Sequence, residues 1–309
     1  MSDNLKTLVI VNPNSANGST GKNWPSLAEL IENNLGTFDF KLTARPGDAT
    51  EFAREACSRG YEMVVALGGD GTNNEVINGF FDGETMINPQ CAFGFICSGT
   101  GGDFRKTFGW SNNPVEAVKR LVGRECRAID VGRFTYVDHK SRKRLGHFIN
   151  IASFGISGLV DSYINNSSKM LGGKLSFMIN TLKAMWDYRN QTVTLTLDDS
   201  ESQEICINTV AVANGRYFGG GMFMAPQAQP DDGFFDVVII KGVSKLRMLN
   251  NGRHIYNGTH IYMPDVSTAR ASRVKAVSKE DVLIDIDGEH LGRLDCSFEN
   301  LHKQVRLKI

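Results

Sequence analysis

Gly68-Gly69-Asp70-Gly71-Thr72 is the segment of this chain best suited to chemistry, since it follows the strand-like run 63–67 and precedes a helix-like stretch through Glu75, Val76 and Ile77. Glycines let backbone N–H groups approach an anion closely, and a following helix adds the positive end of its dipole, so phosphate is the natural guest. Asp70 is out of place in such a turn. A carboxylate repels phosphate unless a divalent cation lies between them, which points to magnesium-nucleotide rather than bare phosphate. A tight turn with a capping Asp has the same spelling. Two more segments repeat the pattern: Ser98-Gly99-Thr100-Gly101-Gly102-Asp103 follows the strand-like run 92–97, and Asn12-Pro13-Asn14-Ser15-Ala16-Asn17-Gly18 follows the run 5–11. In an open α/β sheet ligands gather beyond the carboxyl ends of the strands, so these turns are expected to converge on one rim.

Spelling excludes two other nucleotide signatures. A Walker loop ending at Gly21-Lys22 needs glycine at 16 and Ser or Thr at 23, where Ala16 and Asn23 stand. A dinucleotide fingerprint from Gly69 and Gly71 needs glycine at 74, where Asn74 stands.

A second candidate is Glu289 in Asp287-Gly288-Glu289. An alcohol is a poor nucleophile, and a carboxylate within hydrogen-bond reach can take its proton as the bond to phosphorus forms. The same tripeptide after the alternating run 282–286 also reads as a hairpin turn.

The elements that must position these residues are legible as a change of pattern along the chain. Runs 5–11, 38–42, 63–67 and 92–97 read as strands, alternating with helical faces such as Trp24, Leu27, Leu30, Ile31 and Leu35 and a helix over 114–121. Asp48 with Glu51 has the spelling of a capping box. This half is expected to be an α/β domain with a largely parallel sheet. From about residue 129 alternating and β-branched runs take over, at 129–137, 147–152, 192–197, 205–213, 235–240 and 282–286, interrupted by a helical stripe of Leu171, Leu175, Met178, Leu182 and Met185. The expected division is residues 1–128 as nucleotide domain, with about 298–309 returning to it, and residues 129–297 as a β-rich acceptor domain.

Composition narrows the partners. Over 309 residues, Lys plus Arg and Asp plus Glu balance at 34 each, so the field a nucleic-acid binder needs is missing. Six scattered cysteines without a C-x-x-C pair argue against a disulfide scaffold or zinc site and fit a reducing cytoplasm. No basic N-terminal region leads into a long apolar stretch, and no apolar cluster approaches the roughly 20 residues of a membrane span, so membrane contact is expected to be peripheral, at the inner surface.

Taken together, Asn12-Pro13, Gly68 to Thr72, Gly99-Thr100 with Asp103-Phe104, Ile129-Asp130-Val131-Gly132, Asn150 to Gly155, Asp231-Asp232-Gly233 and Asp287-Gly288-Glu289 resemble the signature blocks of the diacylglycerol kinase catalytic-domain family, above all its soluble bacterial lipid kinases. The resemblance spans nearly the whole chain. It implies an NAD kinase and diacylglycerol kinase-like α/β domain, a sandwich-like C-terminal domain, and transfer of the γ-phosphoryl of ATP to a lipid hydroxyl. By resemblance, Gly68, Gly69, Asp70, Gly71, Thr72, Asn73 and Asn74 bind nucleotide phosphates, with Asn12, Thr43, Gly99 and Thr100 also at the nucleotide. Glu289 falls on the general base, and Asp232, with the carbonyls of Gln229 and Phe234, on a structural magnesium site. Gly102 departs from the family, which usually carries Asn there.

For the lipid, the candidate surface is the stripe from Leu171 to Trp186, which reads equally as core, and the cluster Lys140, Arg142, Lys143 and Arg144 suits anionic headgroups or a solvated hairpin tip. The rival readings are an NAD kinase-like enzyme, which shares the G-G-D-G turn, and a nucleotide-sensing module without catalysis.

Overall fold

The computed structural model describes residues 5–98, 102–138, 140–166, 183–184 and 186–309, and its internal contacts separate two units. The first comprises Met1–Val131, Pro230–Asp232 and Leu301–Ile309; the second comprises Gly132–Gln229 and Gly233–Asn300.

In the first unit, β1 (Thr7–Val11) leads through a 3-10 turn at Ser15–Gly18 to α1 (Ser19–Leu35), β2 (Asp39–Leu42) and α2 (Asp48–Ser58). Then come β3 (Met63–Gly68), α3 (Asp70–Gly79), a small hairpin of β4 (Phe81–Asp82) and β5 (Thr85–Met86), β6 (Ala92–Cys97), α4 (Asp103–Thr107) and α5 (Pro114–Leu121). The strands pair in parallel in the order β6-β3-β1-β2. Every position of β1 and β3 is buried, which is why both read as unbroken apolar runs instead of alternating ones. Val9, Val11, Val65 and Leu67 form a core with Ile31 and Leu35 of α1 and Val118 and Leu121 of α5. The intervening Leu8, Ile10, Val64 and Ala66, on the other face of the pleat, are equally buried, with α2 and α3 packed against β1 and β3.

The second unit is antiparallel. Its elements are most of β7 (Cys126–Asp138), β8 (Lys143–Phe148), β9 (Ile151–Gly155), α6 (Ile156–Asn166), β10 (Gln191–Leu197), β11 (Gln203–Ala213) and β12 (Phe235–Lys241). They continue with α7 (Lys245–Tyr256), a 3-10 turn at Thr259–Tyr262, β13 (Val266–Ala271), β14 (Arg273–Val277), β15 (Leu283–Ile286) and β16 (Glu289–Lys308). The strand order is β13-β12-β11-β10-β14-β16, with β9 pairing β11 and β15. Phe134, Phe148, Phe154, Phe235 and Phe298 pack among its buried aliphatic side chains. Among the described residues antiparallel pairings therefore predominate. The tail of β16 belongs to the first unit, where Arg306 and Leu307 pair in parallel with Ala92 and Phe93 of β6.

Two local expectations need correction, and four elements were not foreseen. The capping box at Asp48 does not form: Gly47 caps α2 in a left-handed conformation, and Asp48 Oδ2 instead accepts from the N–H groups of Ala44 and Arg45 at 2.8 and 3.0 Å. The run 147–152 is not one strand, because the N–H groups of Ile149, Asn150 and Ile151 turn to the Asp287 carboxylate and break the ladder between β8 and β9. Finally, β13, β14, α6 and α7 were not legible in the sequence; β13, for example, lacks a clean alternation in both sequence and burial. The helical stripe at Leu171, Leu175, Met178, Leu182 and Met185 lies outside the described residues.

Candidate functional site

The three turns of the first unit follow β1, β3 and β6 and are tied to one another past the strand ends. Asn12 N–H donates to the Leu67 carbonyl at 2.9 Å, Ser98 N–H to the Gly68 carbonyl at 2.8 Å, and Thr43 N–H, just after β2, to the Val11 carbonyl at 2.9 Å. A parallel register carries all four segments to the same rim. Side chains add a second layer of ties. Asn12 Nδ2 donates to Thr72 Oγ1 at 3.2 Å, while Asn12 Oδ1 accepts from Asn14 N–H at 3.1 Å. The hydroxyls of Ser15, Thr20 and Ser98 form a hydrogen-bonded chain between the first and third turns.

Gly68 closes β3 where a Cβ would stand 2.3 Å from Thr72 Oγ1, so only glycine leaves Thr72 room to sit over the strand end. Gly69 is extended, at φ −100° and ψ −171°, and α3 begins at Asp70. The first turn of a helix leaves backbone N–H groups without intrahelical acceptors, and here it does so over Asp70, Gly71 and Thr72, while Asn73 N–H donates to the Gly69 carbonyl at 3.1 Å. Asn74 lies on the next position of α3 and accepts from Asn78 Nδ2 at Oδ1, 3.1 Å away.

Asp70 is held on one side only. Its Oδ2 accepts from the N–H groups of Gly102 and Asp103 at 2.9 and 3.1 Å, whereas Oδ1 is buried with no hydrogen-bond partner among the described residues. Burial pushes its pKa up, the Asp103 carboxylate adds to the rise, and the backbone donors oppose it. The same crowding raises the Cys97 thiol to about 12, first through burial and then through the Asp70 charge. A half-bonded buried carboxylate under a helix start is what a cation would relieve, so the side chain suits magnesium. Asn73 Nδ2, also buried, likewise lacks a partner among the described residues. Gly102 explains its departure from the family pattern: at φ +76° it contributes a backbone N–H to Asp70, and a Cβ there would meet Cys97 Sγ at 2.9 Å. Gly99 and Thr100 lie outside the described residues.

Glu75, unremarked in the sequence as a cap, is one. Its two carboxylate oxygens accept from Gly47 N–H at 3.1 Å and Ala49 N–H at 3.2 Å, satisfying the start of α2 from α3. Thr20 was missed for a plainer reason, since its partner Ser98 is 78 residues away.

In the second unit, Asp287-Gly288 is the turn between β15 and β16, with φ +51° and +89° at its two residues and Ile286 paired to Glu289. Positive φ at both positions is the type I′ signature that Asp-Gly favours. Asp287 is architectural: Oδ1 accepts from Asn150 and Ile151 N–H at 3.1 and 3.0 Å, and Oδ2 from Ile149 N–H at 3.2 Å. Glu289 is exposed at the first position of β16. His290 sits beside it in the strand, its Nδ1 3.1 Å from the Ile284 carbonyl. Asn150, from another of the family-like blocks, donates through Nδ2 to the Tyr217 carbonyl at 2.9 Å and accepts from the N–H groups of Asn214 and Gly215 at its own carbonyl.

The residues expected for a structural magnesium are divided, with Asp232 in the first unit and Gln229 and Phe234 in the second. Asp232 and Phe234 both engage neighbouring groups, the Phe234 ring lying 4.7 Å from the Arg270 guanidinium. At the basic cluster, the Arg142 N–H and then the Arg142 and Arg144 guanidinium groups bind Asp138 in the β7–β8 hairpin and hold that carboxyl well below the usual range. Trp186 is 74% exposed. Among the described residues no helix is long and apolar enough to cross a membrane.

Models of known families match residues in both units. The model of the diacylglycerol kinase catalytic domain matches residues 6–134, and that of the YegS C-terminal NAD kinase beta sandwich-like domain matches residues 150–308. The chain is 27% identical over 301 residues to a diacylglycerol kinase of Bacillus subtilis, covering 97% of this chain and 94% of that one. It is 32% identical over 212 residues to the probable lipid kinase YegS-like of Chromohalobacter salexigens, covering 67% and 63%. A crystal structure of a diacylglycerol kinase from Bacillus anthracis superimposes with a TM-score of 0.71 at 22% identity, covering 98% and 96%, a likeness of fold.

Proposed function

We propose, from the premise that this chain belongs to the diacylglycerol kinase catalytic-domain family and is a kinase with an alcohol group as acceptor, that it transfers the γ-phosphoryl of magnesium-ATP to the hydroxyl of a lipid. The observation that carries this reading is Asp70, a buried carboxylate at the start of a helix in a glycine turn, with one oxygen that has no partner among the described residues.

Gly69, Gly71 and Thr72 supply backbone donors to the phosphates, with Asn12 and Thr43 bordering the same rim. Gly99 and Thr100 belong to the nucleotide site on the family resemblance. Magnesium, when bound near Asp70, neutralises charge on the phosphate oxygens. Glu289 accepts the proton of the lipid hydroxyl as its oxygen bonds to the γ-phosphorus, the bond from that phosphorus to the bridging oxygen breaks, and ADP leaves. A second magnesium at Asp232 with Gln229 and Phe234 rests on resemblance alone, so no step is routed through it. The acceptor is of the diacylglycerol or sphingoid type, a hydroxyl beside an apolar body, met by peripheral contact with a membrane surface.

Incubation of the protein with labelled ATP, magnesium and micelles of diacylglycerol, monoacylglycerol, sphingosine or ceramide, with NAD as a parallel acceptor, tests this directly. Label in a lipid product is expected. Label in NAD, or ATP binding without transfer to any acceptor, overturns it.

A further inference from the structure

The first unit has a second feature at the opposite rim of its sheet. A cavity of about 330 Å³ is lined by residues that precede or open the strands, among them Leu5, Tyr61, Glu62, Gln90, Arg124 and Arg306. Tyr61 and Glu62 lie just before β3, and Gln90 just before β6, whereas the phosphate turns leave the other ends of these strands. The two sites are therefore separated by the length of β3 and β6, six residues each, or about 20 Å at 3.3 Å per residue.

Charge in this cavity is unbalanced. Glu62 is already engaged, its Oε1 by the Arg124 guanidinium at 3.3 Å and its Oε2 by Lys6 N–H at 2.9 Å. Arg306 has no carboxylate partner among the described residues: its Nη1 donates to the carbonyl and side-chain oxygens of Gln90 at 2.9 and 3.2 Å, and Nε and Nη2 make no hydrogen bond there. Register fixes Arg306 at this rim, because it pairs with Ala92 at the start of β6. Burial lowers the pKa of Lys308, two residues on, against the opposing pull of Cys126 and Glu125, and the Arg306 charge adds to the lowering. A guanidinium presents five donors in a planar fork that matches phosphate and carboxylate oxygens, and the wall adds the side-chain amides of Gln90 and Asn88.

We infer that this cavity is a binding site for a phosphate monoester on a glycerol-like body, with Arg306 as the principal anion ligand. The site does not depend on the kinase reading, since none of its residues belongs to the nucleotide rim.

Calorimetric titration of the full chain with glycerol phosphate, with sodium chloride at matched ionic strength as control, tests the inference. Saturable binding is expected, weakened at least tenfold by Arg306→Gln and less by Arg306→Lys, and unchanged by Asn12→Ala at the far rim. Equal thermal midpoints without ligand confirm that the Arg306 variants are folded, and if Arg306→Gln is not, the Arg306→Lys comparison decides. A parallel arm with dioctanoyl phosphatidic acid separates the sources of the monoester: tighter binding than glycerol phosphate assigns the site to a lipid headgroup, and weaker binding to a soluble metabolite. No saturable binding of either probe, or binding that is indifferent to both Arg306 variants, overturns the inference.

Discussion

Two aspartates in glycine turns, Asp70 in the first unit and Asp287 in the second, have nearly the same local spelling and opposite employment. Asp287 gives both oxygens to three backbone N–H groups that would otherwise be buried without acceptors. Asp70 gives one oxygen to two N–H groups and leaves the other buried with no partner among the described residues. A carboxylate whose hydrogen bonds are used up holds the chain together; one with capacity left over is available to a cation and its substrate. The family-like D-G-E block is in this sense two things, a structural Asp287 and, in the proposed reading, a chemical Glu289 two residues on.

The sharpest way to break this contrast is to neutralise each acid. Glu289→Gln is expected to lower kcat by about 10² to 10⁴ fold, the range for loss of a general base, while nucleotide affinity and the thermal midpoint stay put. Asp70→Asn should cut turnover by a comparable factor without loss of stability, because an amide oxygen still accepts from Gly102 and Asp103 and a buried charge is removed. Kinetics and thermal denaturation on the two variants check both statements, and wild-type-like turnover in either removes its proposed role.

Next in size is Asp287→Ala, which orphans the N–H groups of Ile149, Asn150 and Ile151 and should destabilise the protein by about 3–6 kcal/mol, at 1–3 kcal/mol for each buried unsatisfied group after partial relaxation. Asp287→Asn tolerates the positive φ and keeps one acceptor, so urea midpoints should fall in the order wild type, Asn, Ala.

Acid separates the two regions again. His147, on the strand that leads into the Asp287 hydrogen bonds, is buried, and burial, with the Arg133 charge as the lesser cause, pushes its pKa down to about 4. The unfolded chain thus binds more protons than the folded one between about pH 6.5 and 4, and stability is lost as pH falls through that window, by on the order of 3 kcal/mol in full. Burial raises Asp70 instead, so the first region is not weakened there by protonation of that group. Urea midpoints at pH 7 and pH 4.5 should diverge for wild type and converge for His147→Gln; an unchanged slope in the variant assigns the acid sensitivity elsewhere.

The smallest effect is expected at Asn12→Ala, which removes one neutral hydrogen bond to Thr72 worth about 1 kcal/mol. It should raise the KM for ATP several fold and leave kcat nearly unchanged, as the initial rates over a range of ATP concentrations would show.

What the sequence by itself determined is what local chemistry controls. The unbroken apolar runs of β1, β3 and β6 and the glycines after them needed no long-range information, because burial on both faces and backbone freedom are properties of the segment. The helix Pro114–Leu121 was legible for the same reason, with Pro at its start and Asn113 capping it. The Asp-Gly turn before Glu289 was legible too, but not which of the three residues was structural. Tertiary structure alone decided that, since Asp287 meets groups more than 130 residues away in sequence. It also decided the helix cap by Glu75, the Thr20–Ser98 hydrogen bond and the contact of Arg306 with Gln90, whose partners lie 26 to 216 residues away. Spacing cannot encode such meetings: a side chain's hydrogen-bond account closes only when the fold has brought its distant donors and acceptors within about 3 Å.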